Sequence, residues 1–315
     1  MKFENLYQKY AYKLWKHLGK RLNGNIMQSI YPPVKAIEGQ SAMIAKLAEI
    51  EKILRNVRQS QFKFFNILVH QDLVTTQNKK VFEKYRGVYK GRDAVLCASG
   101  PSFNYFDGKY LKNAVKLGVN NAVLNEKIKF DYSFVIDHNG IRNKINDHKN
   151  KTDVKKLFGI MLPLDDLLLT PSSIGRILPQ SVIEENNAEY FYINEGIVWT
   201  ADLTAVPLSS WASVVFPAMD FLFWTRPRRI FIVGADCGGK HYDGDYKLPD
   251  ETTKMLLNRW KRIKFEAPYL YPDTEIISVN PVGLKGLFHD VYTESYLNDH
   301  PEIDRKTVEV LNEED

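Results

Sequence analysis

Cysteine is scarce in this chain: two of its 315 residues, Cys97 and Cys237. Both fall at the ends of apolar runs, so a disulfide framework is not expected and a reducing cytosol fits. Long apolar runs are missing too. The most apolar window, 211–224, is shorter than a bilayer-spanning helix and contains Asp220. The opening residues, MKFENLYQKYAYKLWKHLGKRL, lack the unbroken apolar core of a secretory leader. Internal repeats and low-complexity tracts are absent as well. These absences argue against a disulfide scaffold, a membrane-spanning helical protein and a repeat array, and they predict a cytoplasmic protein.

What is present is enough for a sizeable core: 44% of residues are hydrophobic and 12% aromatic, which is not a disordered composition. The net charge of +5 conceals a split. Residues 1–90 carry 17 Lys+Arg against 6 Asp+Glu, a net +11, and the remainder is −6. A basic arm on a mildly acidic body points the arm toward an anionic surface. Residues 1–22 mix Tyr7, Tyr10, Tyr12 and Trp15 with Lys9, Lys13, Lys16, Lys20 and Arg21 at roughly helical spacing. That pattern suits a membrane interface and suits equally a helix docked on its own core. From Met43 the apolar positions Leu47, Ile50, Leu54, Val57, Phe64 and Leu68, with Gln61 as a polar interruption, step by four and three. The 43–68 segment therefore reads either as a self-associating coiled coil, giving a homo-oligomer, or as a helix packed on the body. No recognised nucleic-acid motif accompanies the basic residues.

After Gly91 short apolar runs alternate with helical stretches. Strands are predicted at 94–98, 115–119, 132–137, 156–161, 189–193, 229–234 and 275–279, with helices including 208–224 and 250–266. Such alternation predicts an α/β protein: a Rossmann-like, mostly parallel sheet with helices on both faces, preceded by a helical arm. The expected organisation is an arm at 1–90, a nucleotide-binding domain at 91–295 and a polar tail at 296–315.

In open parallel sheets ligands sit beyond the carboxyl ends of the strands, so the residues just after each apolar run carry the functional reading. The first run ends in Ser99-Gly100-Pro101-Ser102, where Gly100 permits a tight turn and Pro101 stops the ladder. This turn is expected to offer backbone amides to a phosphate. Asn120-Asn121, Asp137-His138-Asn139, Gly234-Ala235-Asp236 and Asn280-Pro281 end four other runs. Together these polar ends favour a nucleotide cleft.

The segment 234–246 is densest in chemistry. Lys240, His241, Tyr242 and Tyr246 suit a diphosphate or a leaving phosphate, and Asp236, Asp243 and Asp245 suit a divalent cation. Acidic Gly-rich loops are also often plain turns, and the spacing matches no EF-hand. Of the seven histidines, His241 and His289 are the candidates for a general base near neutral pH. His17 and His70 lie in the arm, and His148 and His300 sit in polar stretches.

The order Ala-Ser-Gly-Pro-Ser-Phe, Val-Asn-Asn, Ser209-Ser210 opening a long helix, then Ile-Phe-Ile-Val-Gly-Ala-Asp resembles bacterial sialyltransferases of the lipooligosaccharide type. These use CMP-activated nonulosonic acids. The order is similar as well to the motility-accessory-factor and hydroxymethylpterin-diphosphokinase-like proteins. The likeness spans roughly 90–290. It implies CMP over the strand ends, with Ser99, Gly100 and Ser102 at phosphate and ribose and Asn120 on the donor. It further implies Ser209 or Ser210 at the donor carboxylate, Tyr242 and Tyr246 on the departing phosphate, and Asn280 near the cytosine. It implies no metal and no cofactor apart from the CMP-sugar donor. The family's catalytic histidine lies in a lid after the tyrosine loop, and residues 247–275 of this chain contain none.

Three functions follow as expectations. The first is an inverting glycosyltransferase that moves an acidic sugar from CMP to a bacterial surface glycan. The second is a magnesium- and ATP-dependent diphosphokinase acting on a small alcohol, and the third a non-catalytic nucleotide-binding scaffold.

Overall fold

A computed structural model describes residues 49–55, 57–58, 61, 67–68, 70–136, 141–162, 178–194, 201–210, 213–238, 240–241, 244–247 and 250–313. The chain divides into two compact units, Met1–Gln71 with Pro163–Leu168 and Asp72–Leu162 with Leu169–Asp315. The described residues of 49–68 are helical, including Ile50, Leu54, Val57, Gln61 and Leu68 of the heptad pattern. Residues 1–22 and the heptad positions Met43, Leu47 and Phe64 lie outside the described residues.

The larger unit is built on a ten-stranded sheet whose nine strand pairings are all parallel. Its strands are β1 (Asp93–Cys97), β2 (Val115–Val119), β3 (Tyr132–Val135), β4 (Lys155–Met161), β5 (Glu189–Asn194), β6 (Leu208–Ser209), β7 (Arg229–Val233), β10 (Glu275–Val279), β11 (His289–Tyr292) and β12 (Glu309–Val310). A separate antiparallel hairpin pairs β8 (Lys240–His241) with β9 (Gly244–Lys247). The sheet order is β12-β11-β10-β7-β1-β2-β3-β4-β5-β6. From β1 the chain runs outward to β6, then returns to place β7 on the other side of β1. The order therefore reverses between β1 and β7.

Strand side chains alternate between two layers, as the pleat requires. Ala94, Leu96, Ile230 and Ile232 enter one core, and Val95, Cys97, Phe231 and Val233 enter the other. The first core is covered by three helices: α1 (Gln71–Phe82), α4 (Val215–Thr225) and α5 (Asp250–Leu270). Every residue of α4 is buried, Asp220 included. A helix apolar all round is expected only where it is enclosed on all sides.

The opposite face is covered differently. Short 3-10 turns at Pro101–Tyr105 and Asn120–Leu124 supply Phe103, Ala122 and Val123 to the second core. Helix α3 (Gln180–Glu185) supplies Val182 and Ile183 to a third. Two further short helices are α2 (Ile145–Asn150) and α6 (Glu294–Asp299). The predicted α/β architecture with helices on both faces is thus the one observed.

All seven predicted strands form. Among the described residues the sheet has three more, the two-residue strands β6 and β12 and the strand β11, and the hairpin adds β8 and β9. Two expectations change in detail. Ser209 does not open a helix. It lies in β6, where Asn194 pairs with it, and the helix begins at Val215. The closing residues also join the sheet, since Glu309 and Val310 pair with Val291 and Tyr292.

Candidate functional site

Between β1 and β7 the connections leave in opposite directions, and their first residues meet at the carboxyl edge. The Gly100 N–H donates to Gly234 O at 2.7 Å, and the Ala98 N–H donates to Val233 O at 2.8 Å. The two turns approach so closely that a Cβ on Gly100 would lie 2.5 Å from Gly234 O and 2.6 Å from Asp236 Cγ. Gly234 adopts φ +70, and a Cβ there would meet Ala98 O at 2.4 Å. Only glycine fits either position.

Asp236 is 6% exposed and is held by neutral donors. The Ser102 N–H reaches Asp236 Oδ2 at 2.9 Å and the Ser102 hydroxyl reaches Oδ1 at 2.5 Å. Burial raises the Asp236 pKa, and the two bonds from Ser102 oppose that rise without cancelling it. The expected open amide cradle is therefore closed. Gly100 and Ser102 spend their N–H groups inside the protein, Phe103 donates to Gly100 O, and Pro101 has none to offer. The edge is instead built around the buried Ser102–Asp236 pair.

Left-handed backbone marks the same edge. Asn120 (φ 46) follows β2, Cys237 (φ 52) follows the Asp236 turn and Asn280 (φ 49) follows β10. Each costs on the order of 1 kcal/mol or more in a non-glycine residue, and such strain gathers where geometry serves function. Asn120 Oδ1 is buried without a hydrogen-bond partner. Beside it, Asn121 Oδ1 lies 3.1 Å from His148 Nε2, so that nitrogen carries the proton, because an amide oxygen only accepts. Burial, followed by the nearby Lys156 charge, pushes His148 down to about 4 and keeps it neutral.

The sequence-predicted residues separate into those at the β1/β7 edge and those elsewhere. Ser99, Gly100, Pro101, Ser102, Gly234 and Asp236 are together, with Asn120 at the end of the adjoining strand. Asn280 is near but wholly buried and internally engaged: its amide donates to Thr293 Oγ1 at 3.0 Å, and its carbonyl accepts from the Thr293 N–H at 2.8 Å. Ser209 and Ser210 are not brought to the switch point. They lie at β6, five strands from β1, or about 24 Å along the edge. His289 is not brought there either. It opens β11 level with Ile277 of mid-strand β10, and its ring bridges Glu275 (3.2 Å) and Glu309 (2.9 Å). His241 and Tyr246 belong to the β8–β9 hairpin that follows the Asp236 turn, and Asp245 is in the same hairpin. Asp137, Tyr242 and Asp243 lie outside the described residues. Among the described residues no cluster of three His, Cys, Asp or Glu side chains is placed to hold a metal.

Sequence reasoning missed an aromatic group at this edge. Tyr105 ends the turn that Pro101 begins, and Tyr292, Tyr296 and His300 recur at four-residue spacing, in β11, in α6 and just after it. That spacing was the available signal. Tyr296 lies close enough to Asp236 for its charge to act on the phenol. No protein-family model and no curated protein matches this chain.

Proposed function

We propose that this protein is a nucleotide-dependent glycosyltransferase that moves an acidic sugar from a CMP donor to a bacterial surface glycan. The observation that carries the reading is the reversal of strand order between β1 and β7, the place where open parallel sheets bind nucleotides. The turns Ser99–Ser102 and Gly234–Asp236, with Asn120 alongside, are its walls. The resemblance of the motif order to CMP-using sialyltransferases supplies the choice of donor.

In this reading an acceptor hydroxyl attacks the anomeric carbon and the bond to CMP breaks, with inversion. His241 takes the proton from the hydroxyl, while Tyr242 and Tyr246 stabilise the departing phosphate. His289 is not used, because it faces Glu275 and Glu309. Among the described residues no helix is long and apolar enough to cross a membrane. The basic residues of 1–90 hold the enzyme at the inner face of the bacterial inner membrane, where lipid-linked acceptors lie.

A thermal-shift panel of CMP, CDP, UDP, GDP and ATP, each with and without magnesium, tests the reading. CMP is expected to raise the melting temperature without metal. A response confined to ATP with magnesium would overturn it in favour of phosphotransfer.

A further inference from the structure

The aromatic group beside Asp236 is more than packing. Tyr292 and Tyr296 are 3% and 7% exposed and pack against Leu297, so they form its buried backing. Tyr105 and His300 are only partly covered, and the His300 side chain is 34% exposed. His300 stacks on Tyr296 at 4.1 Å between centroids and 27° between planes. Tyr105 meets Tyr296 edge-on at 5.1 Å and His300 at 6.2 Å and 64°. The rings thus make a corner, with one face of His300 against Tyr296 and about a third of its side chain open to solvent.

One open ring is held at a polar atom. His300 Nδ1 lies 3.0 Å from Glu302 Oε1. Helix α6 is tied to the β1 turn as well, by the Ser295 hydroxyl donating to Tyr105 O at 3.0 Å. Rings oriented before a ligand arrives lose little entropy on binding it.

Resting on the nucleotide reading above, we infer that Tyr105, Tyr296 and His300 form the nucleobase subsite, with the base stacked on the open part of His300 against Tyr105. Spacing supports it. Ser102 and Tyr105 lie three residues apart in one 3-10 turn, so they project from the same side, about 6 Å apart along its axis. That offset suits a ribose beside the Ser102–Asp236 pair and a base on the aromatic corner. Asn280, the sequence-level candidate for the base, is engaged with Thr293 and leaves this task to the rings.

The test uses the full chain, with calorimetric titration of CMP, UMP and AMP and of ribose 5-phosphate as a base-free probe. Tyr105→Ala and His300→Ala are each expected to weaken the best-binding nucleotide about tenfold, the size of one stacked base, and to leave ribose 5-phosphate unchanged. Tyr105→Phe and His300→Phe keep a ring and are expected to bind within about twofold of the parent. Nucleotide affinity unchanged in both alanine variants would overturn the subsite while leaving the nucleotide reading intact. A parent protein that binds ribose 5-phosphate but gains nothing from any base would do the same. A parent that binds no nucleotide would overturn both.

Discussion

The two ends of the same strands are built on different principles. At the strand starts, charges stand in a row and are neutralised by opposite charges. Asp93, Arg229 and Glu275 lie side by side on β1, β7 and β10, and Arg228 and Arg229 each grip Asp93 with two hydrogen bonds. His289 joins Glu275 to Glu309 further along. At the strand ends a carboxylate, Asp236, is buried against a serine, and glycines and left-handed residues shape the turns. The starts clip neighbouring strands together at modest energy. The ends hold a costly shape, as the proposed nucleotide edge would require.

The largest effect separating these designs is expected at Gly100. Gly100→Ala drives a Cβ against Gly234 O and Asp236, backbone and buried carboxylate that cannot yield. A loss of about 3 kcal/mol is expected in urea unfolding. A variant as stable as the parent would show that the edge is looser than its geometry.

Asp236 comes next. Asp236→Ala strands two buried donors of Ser102 and should cost about 2 kcal/mol. Asp236→Asn should cost less than about 1 kcal/mol, because the serine hydroxyl can turn to accept from the new amide. The pH dependence has a definite sign: a carboxyl whose pKa is raised by folding stabilises at low pH, and that contribution is lost as pH rises through the raised value. The asparagine variant should therefore flatten the stability profile on the acid side. Equal profiles for parent and variant would count against a buried, raised Asp236.

At the strand starts the sign is opposite and the size smaller. Burial works against ionisation of Asp93, yet hydrogen bonds from Arg229 and Arg228 outweigh it and hold the carboxyl at about 2, below its ordinary 3.8. Its contribution is present above the ordinary value and fades as pH falls toward about 2. Because the arginines are partly exposed, Asp93→Asn should remove only about 1 kcal/mol, seen as a loss of that acid-limb slope. His289 should matter least. Bonds to Glu275 and then Glu309 raise its pKa, so its stabilisation is complete below the ordinary histidine value and disappears as pH rises through the raised one. With a side chain 43% exposed, His289→Gln should change stability by less than about 1 kcal/mol, detectable only on the acid side. A large loss of nucleotide binding in this variant would place His289 in the functional edge after all.

Much of the sheet was legible because its strands are apolar on both sides. Runs such as Val-Leu-Cys after Asp93 or Ile-Phe-Ile-Val after Arg229 have few other places to go than a covered parallel sheet. The short strands were not legible. β6 and β12 have two residues each and form only because β5 and β11 offer open edges. β11 begins His-Asp, a polar start that carries no strand signal of its own. The same limit moved Ser209 from a helix start into a strand.

For the candidate site, the sequence determined which residues end strands, because apolar periodicity and Gly-Pro punctuation are local properties. It also determined the polar character of those ends. The tertiary structure decided which ends meet. Only the return of the chain from β6 to β7 puts Asp236 against Ser102, closes the Gly100 amide onto Gly234 and sets Tyr105 beside Tyr296 and His300. Pairings across more than a hundred residues depend on strand order and close packing, and neither is written in any local window of the chain.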